Sequence, residues 1–206
     1  MSPAKPRQHA QARDRRAAVE ASIFEATEAF LAEHPYRDLT VEGVIAPTGL
    51  GRTAFYRYFP DLETVLLRRL AQIDAELNEA TDRWLETDTD PEAGLLEAAV
   101  ALATVYCRHA PLLRAFSEAA AAGAEVEEAW RTLVETFVTQ ATARIEGLVE
   151  RGVVAVERPN ESARALVGMT ESYLLDTFGR CIGVDVEVAA ATVAQIWYRA
   201  LFWPPG

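Results

Sequence analysis

Arg52, Thr53, Tyr56, Arg57 and Tyr58 crowd into seven consecutive positions, and each side chain carries a hydrogen-bond donor. A guanidinium is a planar fork that stays charged, so it pairs bidentately with guanine O6 and N7 or with a phosphate. Threonine and tyrosine hydroxyls suit phosphate oxygens, which fix a protein's register on a duplex. Apolar Leu39, Val44, Ile45, Leu50, Phe55 and Phe59 recur around and between these residues. The pattern separates an inward apolar face from an outward face of donors. A helix-turn-helix unit needs that division, and the chemistry it implies is recognition of DNA.

The flanking residues supply the elements that hold this face. From Arg13 to Glu33, Val19, Ile23, Ala26, Phe30 and Leu31 recur at helical spacing, and His34-Pro35 ends the run. Thr40 stands at an N-cap position for a second helix starting at Val41. Pro47 limits that helix to little more than one turn, and Gly49 suits the tight turn that follows. The recognition helix is expected over Gly51–Tyr58, closed by Phe59-Pro60. Asp61 then caps a long helix over 62–84, with Val65, Leu66, Leu70, Ile73 and Leu77 on its apolar face.

After a break between Thr87 and Pro91, helical patterns recur over 91–109, 111–121, 124–151, 160–180 and 186–203. Sustained period-two alternation is lacking and alanine is abundant, so an all-α fold is expected. The expected organisation is a disordered basic arm over 1–12, a helix-turn-helix domain over 13–60 and a larger helical domain over 61–206. Helix 61–84 serves as the connector.

A net charge of −11 argues at first against a nucleic-acid partner. Its distribution argues the other way. Residues 1–70 hold ten Lys+Arg against nine Asp+Glu, or +1, while residues 71–206 hold ten against twenty-two, or −12. Within residues 1–16 the balance is five against one, or +4. A basic lead into a near-neutral helical unit can meet phosphates while the acidic remainder favours solubility. No apolar run approaches the ~20 residues of a membrane span. The basic N-terminal residues are followed by no apolar segment, so a signal peptide is not expected and a cytoplasmic location is. Cys107 and Cys181 suit free buried thiols.

Other chemistries fare worse. Gly49-Leu-Gly51-Arg-Thr-Ala54 fits a dinucleotide fingerprint, but Pro47-Thr48 separates it from any strand and no ribose-binding acid on a second strand follows. His9, His34 and His109 share no metal spacing, and Cys107 beside His109 has no further ligand nearby. No nucleophile, base and orienting group can be assembled. Neither a metal, a cofactor nor an enzymatic activity is expected.

Thr40-Val41 through Gly49, then Arg52, Phe55-Tyr56, Tyr58-Phe59-Pro60 and Glu63, resemble the signature of TetR-type transcriptional regulators, roughly T-V-x-x-I-A-x-x-A-G-V-S-x-x-T-F-Y-x-Y-F-x-S-K-E. Later segments, Glu125 to Trp130, Met169 to Glu171 and Gln195 to Trp197, resemble the ethionamide-resistance repressor branch. The resemblance implies a three-helix DNA-binding unit followed by a ligand-binding, dimer-forming helical body. It implies operator contacts from Thr40, Arg52, Thr53, Tyr56, Arg57 and Tyr58. Four positions depart from the pattern: Gly51 replaces a capping serine, Ala54 a phosphate-binding threonine, Leu62 a phosphate-binding lysine, and Ala46 a common lysine.

In the second domain Tyr106, Phe116, Trp130, Phe137, Tyr173, Phe178 and Trp197 lie on helical stripes. Phe137, one turn from Val134 and from Gln140, sets an apolar wall beside a polar group, and Thr170 and Glu171 interrupt an apolar run. The resemblance implies a pocket for an apolar small-molecule effector along Leu102, Val134, Phe137, Thr170, Glu171, Leu175 and Trp197, with Tyr106 beside them. It also implies a homodimer through the last two helices, whose small and apolar residues include Ala163, Leu166, Val167 and Leu174, then Val188, Ala191, Val193 and Ile196. The expected function is a ligand-responsive, near-palindrome-binding repressor. The alternative is a helical small-molecule or protein-binding module whose DNA binding has lapsed.

Overall fold

Side-chain caps and prolines set the helix ends. The Thr40 hydroxyl accepts from Gly43 N at 3.1 Å, Asp61 from Thr64 N at 2.7 Å and Asp90 from Ala93 N at 3.1 Å, each satisfying a first-turn N–H. The computed structural model describes residues 5–86, 90–120, 124–179 and 183–202. Among these residues it is helical without strands: α1 (Lys5–Glu33), α2 (Val41–Ile45), α3 (Arg52–Tyr58), α4 (Leu62–Glu86), α5 (Pro91–Arg108), α6 (Ala110–Ala120), α7 (Ala124–Glu150), α8 (Pro159–Gly179) and α9 (Val186–Phe202). From α5 onward each end lies within one residue of its expected position.

The start of α1 differs from expectation. Residues 5–12, expected as part of a disordered arm, are helical, while residues 1–4 of that arm lie outside the described residues. Pro6 falls in the first turn, where a missing N–H costs nothing, and Arg7, Gln8, Ala10 and Gln11 are good helix formers. The break expected between Thr87 and Pro91 lies largely outside the described residues, as does Cys181, whereas Cys107 is a free thiol that is exposed rather than buried.

The chain divides into two compact units, the division falling between Leu70 and Ala71, inside α4. In the first unit Ile23, Phe24 and Ala26 of α1, Val44 and Ile45 of α2, Phe55 of α3, Phe59 just after it and Val65 of α4 form one core. Leu39, Leu50 and Leu62 pack partly against it. This head therefore includes the first turns of α4 instead of ending at Pro60, because Leu62 and Val65 complete its apolar interior.

Gly43 lets α2 lie close to α1. A Cβ there would stand 2.5 Å from Phe30 Cε2, and the Phe30 ring is itself stacked on His34 with centroids 4.4 Å apart. Overpacking of this kind costs about 1–3 kcal/mol, against about 1 kcal/mol that alanine gains over glycine inside a helix. Gly43→Ala is expected to lower the stability of the head by about 1 kcal/mol in urea unfolding. An unchanged midpoint would show that the Phe30 ring swings aside freely.

In the second unit α5 packs along α9 and α7 along α8, with α6 against α7 and α8. Phe116, Leu112, Leu113, Ile145 and Leu148 are wholly buried, and Phe116 stacks on Trp130 at 6.3 Å. Ala163, Leu166, Leu174 and Val193, four residues expected on dimer-forming faces, are buried within the unit itself. On α9, Val188 is 58 % exposed and Ile196 42 %, and they lie eight residues apart on one face.

Candidate nucleic-acid interface and ligand cavity

The turn before α3 is made by backbone and hydroxyl together. Gly49 adopts a φ of 70°, the left-handed conformation that glycine enters without steric cost. The Thr48 hydroxyl donates to Ile45 O at 2.8 Å and accepts from Leu50 N at 3.2 Å. Thr48 thus stitches α2 to the turn, a role that its residue type alone does not announce. Gly51 caps α3 without a side-chain bond, and Phe55 and Phe59 anchor the helix in the core with no exposure.

Anchoring one face exposes the other. Thr40, Arg52, Thr53, Tyr56 and Arg57 are exposed, Tyr56 by 45 % despite its ring. Arg52 pairs with Glu42 of α2, and its Nη2 donates to the Tyr56 hydroxyl at 3.3 Å. The Tyr56 hydroxyl and then the Glu42 carboxylate raise the Arg52 guanidinium above its ordinary value. Two residues expected to meet DNA are therefore braced against each other on one surface. Tyr58 is placed differently. It is half-buried against the head core, with the Arg16 guanidinium 5.8 Å from its ring centroid. Spacing of two residues from Tyr56 turns its ring about half a revolution toward the interior.

A cavity of about 100 Å³ lies in the second unit. Leu102, Tyr106, Val134, Phe137, Thr170, Glu171 and Trp197 all line it, while Leu175, half-buried on α8, does not. Val167, Thr170 and Glu171 make the lining stripe of α8, and Leu175 lies one helical turn past its last member. Further lining residues continue simple stripes, Leu77, Thr81 and Trp84 on α4, and Leu95, Ala98 and Ala99 leading to Leu102 on α5. Their spacing of three and four residues was a signal in the sequence, but one shared by any core-facing stripe.

The few polar groups of the wall are mostly committed. Trp197 Nε1 donates to the Thr170 hydroxyl at 2.9 Å, which in turn donates to Leu166 O at 2.8 Å. Trp130 Nε1 donates to Glu171 Oε1 at 2.9 Å, and Gln140 Nε2 to Asn78 Oδ1 at 2.9 Å. Trp84 meets Trp197 edge to face at 5.2 Å. Burial pushes the Glu171 carboxyl above its usual range, with the Trp130 N–H pulling the other way. Burial, then the Glu171 charge, drives the Tyr106 phenol well above its own, so it stays a protonated hydroxyl.

Among the described residues no group of three or more His, Cys, Asp or Glu side chains is placed to hold a metal, and no helix is long and apolar enough to cross a membrane. Comparison with known proteins agrees with the two-unit reading. Residues 23–68 match the model of bacterial regulatory proteins of the tetR family, and residues 95–202 match that of the C-terminal domain of the transcriptional regulator EthR. The HTH-type transcriptional regulator EthR of Mycobacterium tuberculosis is 28 % identical over 187 residues, covering 89 % of this chain and 87 % of that protein. Its counterpart in Mycolicibacterium smegmatis is 25 % identical, with 89 % and 86 % covered.

Among solved structures, a tetR-family regulatory protein from Rhodococcus RHA1 superposes with a TM-score of 0.74 at 16 % identity, covering 90 % of this chain and 98 % of its own. PfmR, a TetR-family regulator from Thermus thermophilus, gives 0.73 at 20 % identity, with 86 % and 97 % covered. These names are those of transcriptional regulators, not of enzymes. With a DNA-binding head matched by one family model and more than half of the chain matched by the other, this protein belongs to the TetR family of bacterial transcriptional regulators, with a C-terminal domain of the EthR type.

Proposed function

We propose that the chain is a repressor that binds a near-palindromic operator as a homodimer and is released when an apolar small molecule enters the cavity of its second unit. The observation that carries this reading is the exposed set Arg52, Thr53, Tyr56 and Arg57 on a helix whose other face is locked into a core. Thr40 and, on α1, Arg13 and Arg15 are further exposed donors. The exposed apolar pair Val188 and Ile196 supports α9 as part of the dimer face. A twofold dimer sets its two reading helices about 34–36 Å apart, one turn of DNA. Release is a population shift, and the effector acts only through its differential affinity for the two spacings of the heads.

The departures from the family pattern have a measurable consequence. Gly51 and Ala54 carry no donor side chain, and Leu62 is spent on the head core. Each missing phosphate contact removes about one unit from the slope of log affinity against log salt. Mobility-shift titrations with DNA from upstream of the protein's own gene are expected to show binding with a slope shallower than is typical of the family. A slope of family-typical size would mean that other cations, such as those of α1, replace the lost contacts. No shift at any salt would favour the alternative, a helical binding module whose DNA function has lapsed.

A further inference from the structure

The cavity wall has an unbalanced polar inventory. Several of its donors are used internally: the Trp197 N–H and Thr170 hydroxyl form a relay ending on Leu166 O, and Thr81 donates to Asn78 O at 3.0 Å, while the protonated Tyr106 hydroxyl lines the same wall. Its acceptors are not. Gln140 Oε1 is buried and meets no hydrogen-bond donor among the described residues. Glu171 receives a single side-chain hydrogen bond among them, from Trp130. Among the described lining residues none is Lys, Arg or His, so none of these neutralises the Glu171 carboxylate. A half-buried acid left in that state favours a positive partner.

We propose that the effector is an apolar molecule bearing a protonated amine, its ammonium seated at Glu171 and its body in the apolar remainder of the cavity. This identification rests on the ligand-responsive reading above and narrows it to a chemical class. Three features besides the carboxylate favour a cation. Trp84, Tyr106, Phe137 and Trp197 line the same space, and aromatic rings attract ammonium groups. Residues 71–206 carry a balance of −12, ten basic against twenty-two acidic, which concentrates cations near the unit. The remaining acceptor, Gln140 Oε1, is satisfied by a donor on the ligand and not by an acceptor. An apolar carboxylate of the same length would face Glu171 with like charge.

Three probes of equal chain length separate head group from tail: n-octylamine, n-octanol and octanoate, each titrated calorimetrically into the full-length protein at neutral pH. Octylamine is expected to bind about tenfold more tightly than octanol, with octanoate the weakest. In Glu171→Gln the amine's advantage over octanol should disappear while octanol binding is retained. Should the variant fail to fold, the ranking on the wild-type protein decides alone. Equal binding of octylamine and octanol, or tightest binding of octanoate, would overturn the amine assignment and leave a ligand-binding cavity standing. If none of the three binds at millimolar concentration, the cavity is not an effector site and the assignment falls with it.

Discussion

Replacing Arg52 with alanine is expected to weaken binding to the operator duplex by about ten- to a hundredfold, the range for loss of one bidentate base or phosphate contact. Arg52 is exposed at the start of α3, the position from which a recognition helix of the proposed kind would present its fork to a groove. In the free protein its partners are Glu42 and Tyr56. An exposed ion pair contributes little stability, so a phosphate or guanine edge displaces Glu42 at small cost. Glu42→Gln should therefore bind slightly more tightly than the wild type, opposite in sign to Arg52→Ala. Both variants are to be measured by fluorescence anisotropy on one duplex at one salt concentration. Equal affinity of Arg52→Ala and wild type would remove Arg52 from the reading surface.

Phe55→Ala is expected to have the largest effect on the fold. Phe55 has no exposed surface and sits among Ile23, Val44, Phe59 and Val65 in the head core. Truncating a buried phenylalanine costs about 3–5 kcal/mol, part of it from the cavity left behind. That is a large share of the ~5–15 kcal/mol by which a domain is stable. The urea midpoint of the head should fall sharply and DNA binding should weaken as the unfolded fraction rises. The core residues of the second unit are untouched, so its ligand binding should persist. Urea unfolding followed by circular dichroism distinguishes a lost head from a lost chain. A variant that keeps the wild-type midpoint would contradict the role given to this core.

Residue types announced the helices well because their ends are written in short-range chemistry. Thr40 and Asp61 cap, Pro47 and Pro91 punctuate, and Gly49 takes the one left-handed position in the turn. Pro6 misled, because a proline within a first turn and a proline in a disordered arm look alike in sequence. The cavity was only partly legible. Thr170 and Glu171 stood out as polar residues in an apolar run and Gln140 as a polar group one turn from Phe137, yet nothing local tells whether an aromatic on a helical stripe closes a core or faces a space. Trp130 and Phe116 stack in the interior, whereas Trp84 and Trp197 border the cavity, and the difference depends on packing between helices distant in sequence. Tyr58 and Tyr56, two residues apart, separate in the same way into a core-edge ring and an exposed one.

The proposed role of α3 as a reader of base pairs can be judged by selection from a random duplex library, with promoter fragments included, at low ionic strength. The wild-type protein should enrich a near-palindromic sequence with half-sites about one helical turn apart, and Arg52→Ala should enrich it poorly or not at all. Failure of the wild-type protein to retain any duplex would contradict that role.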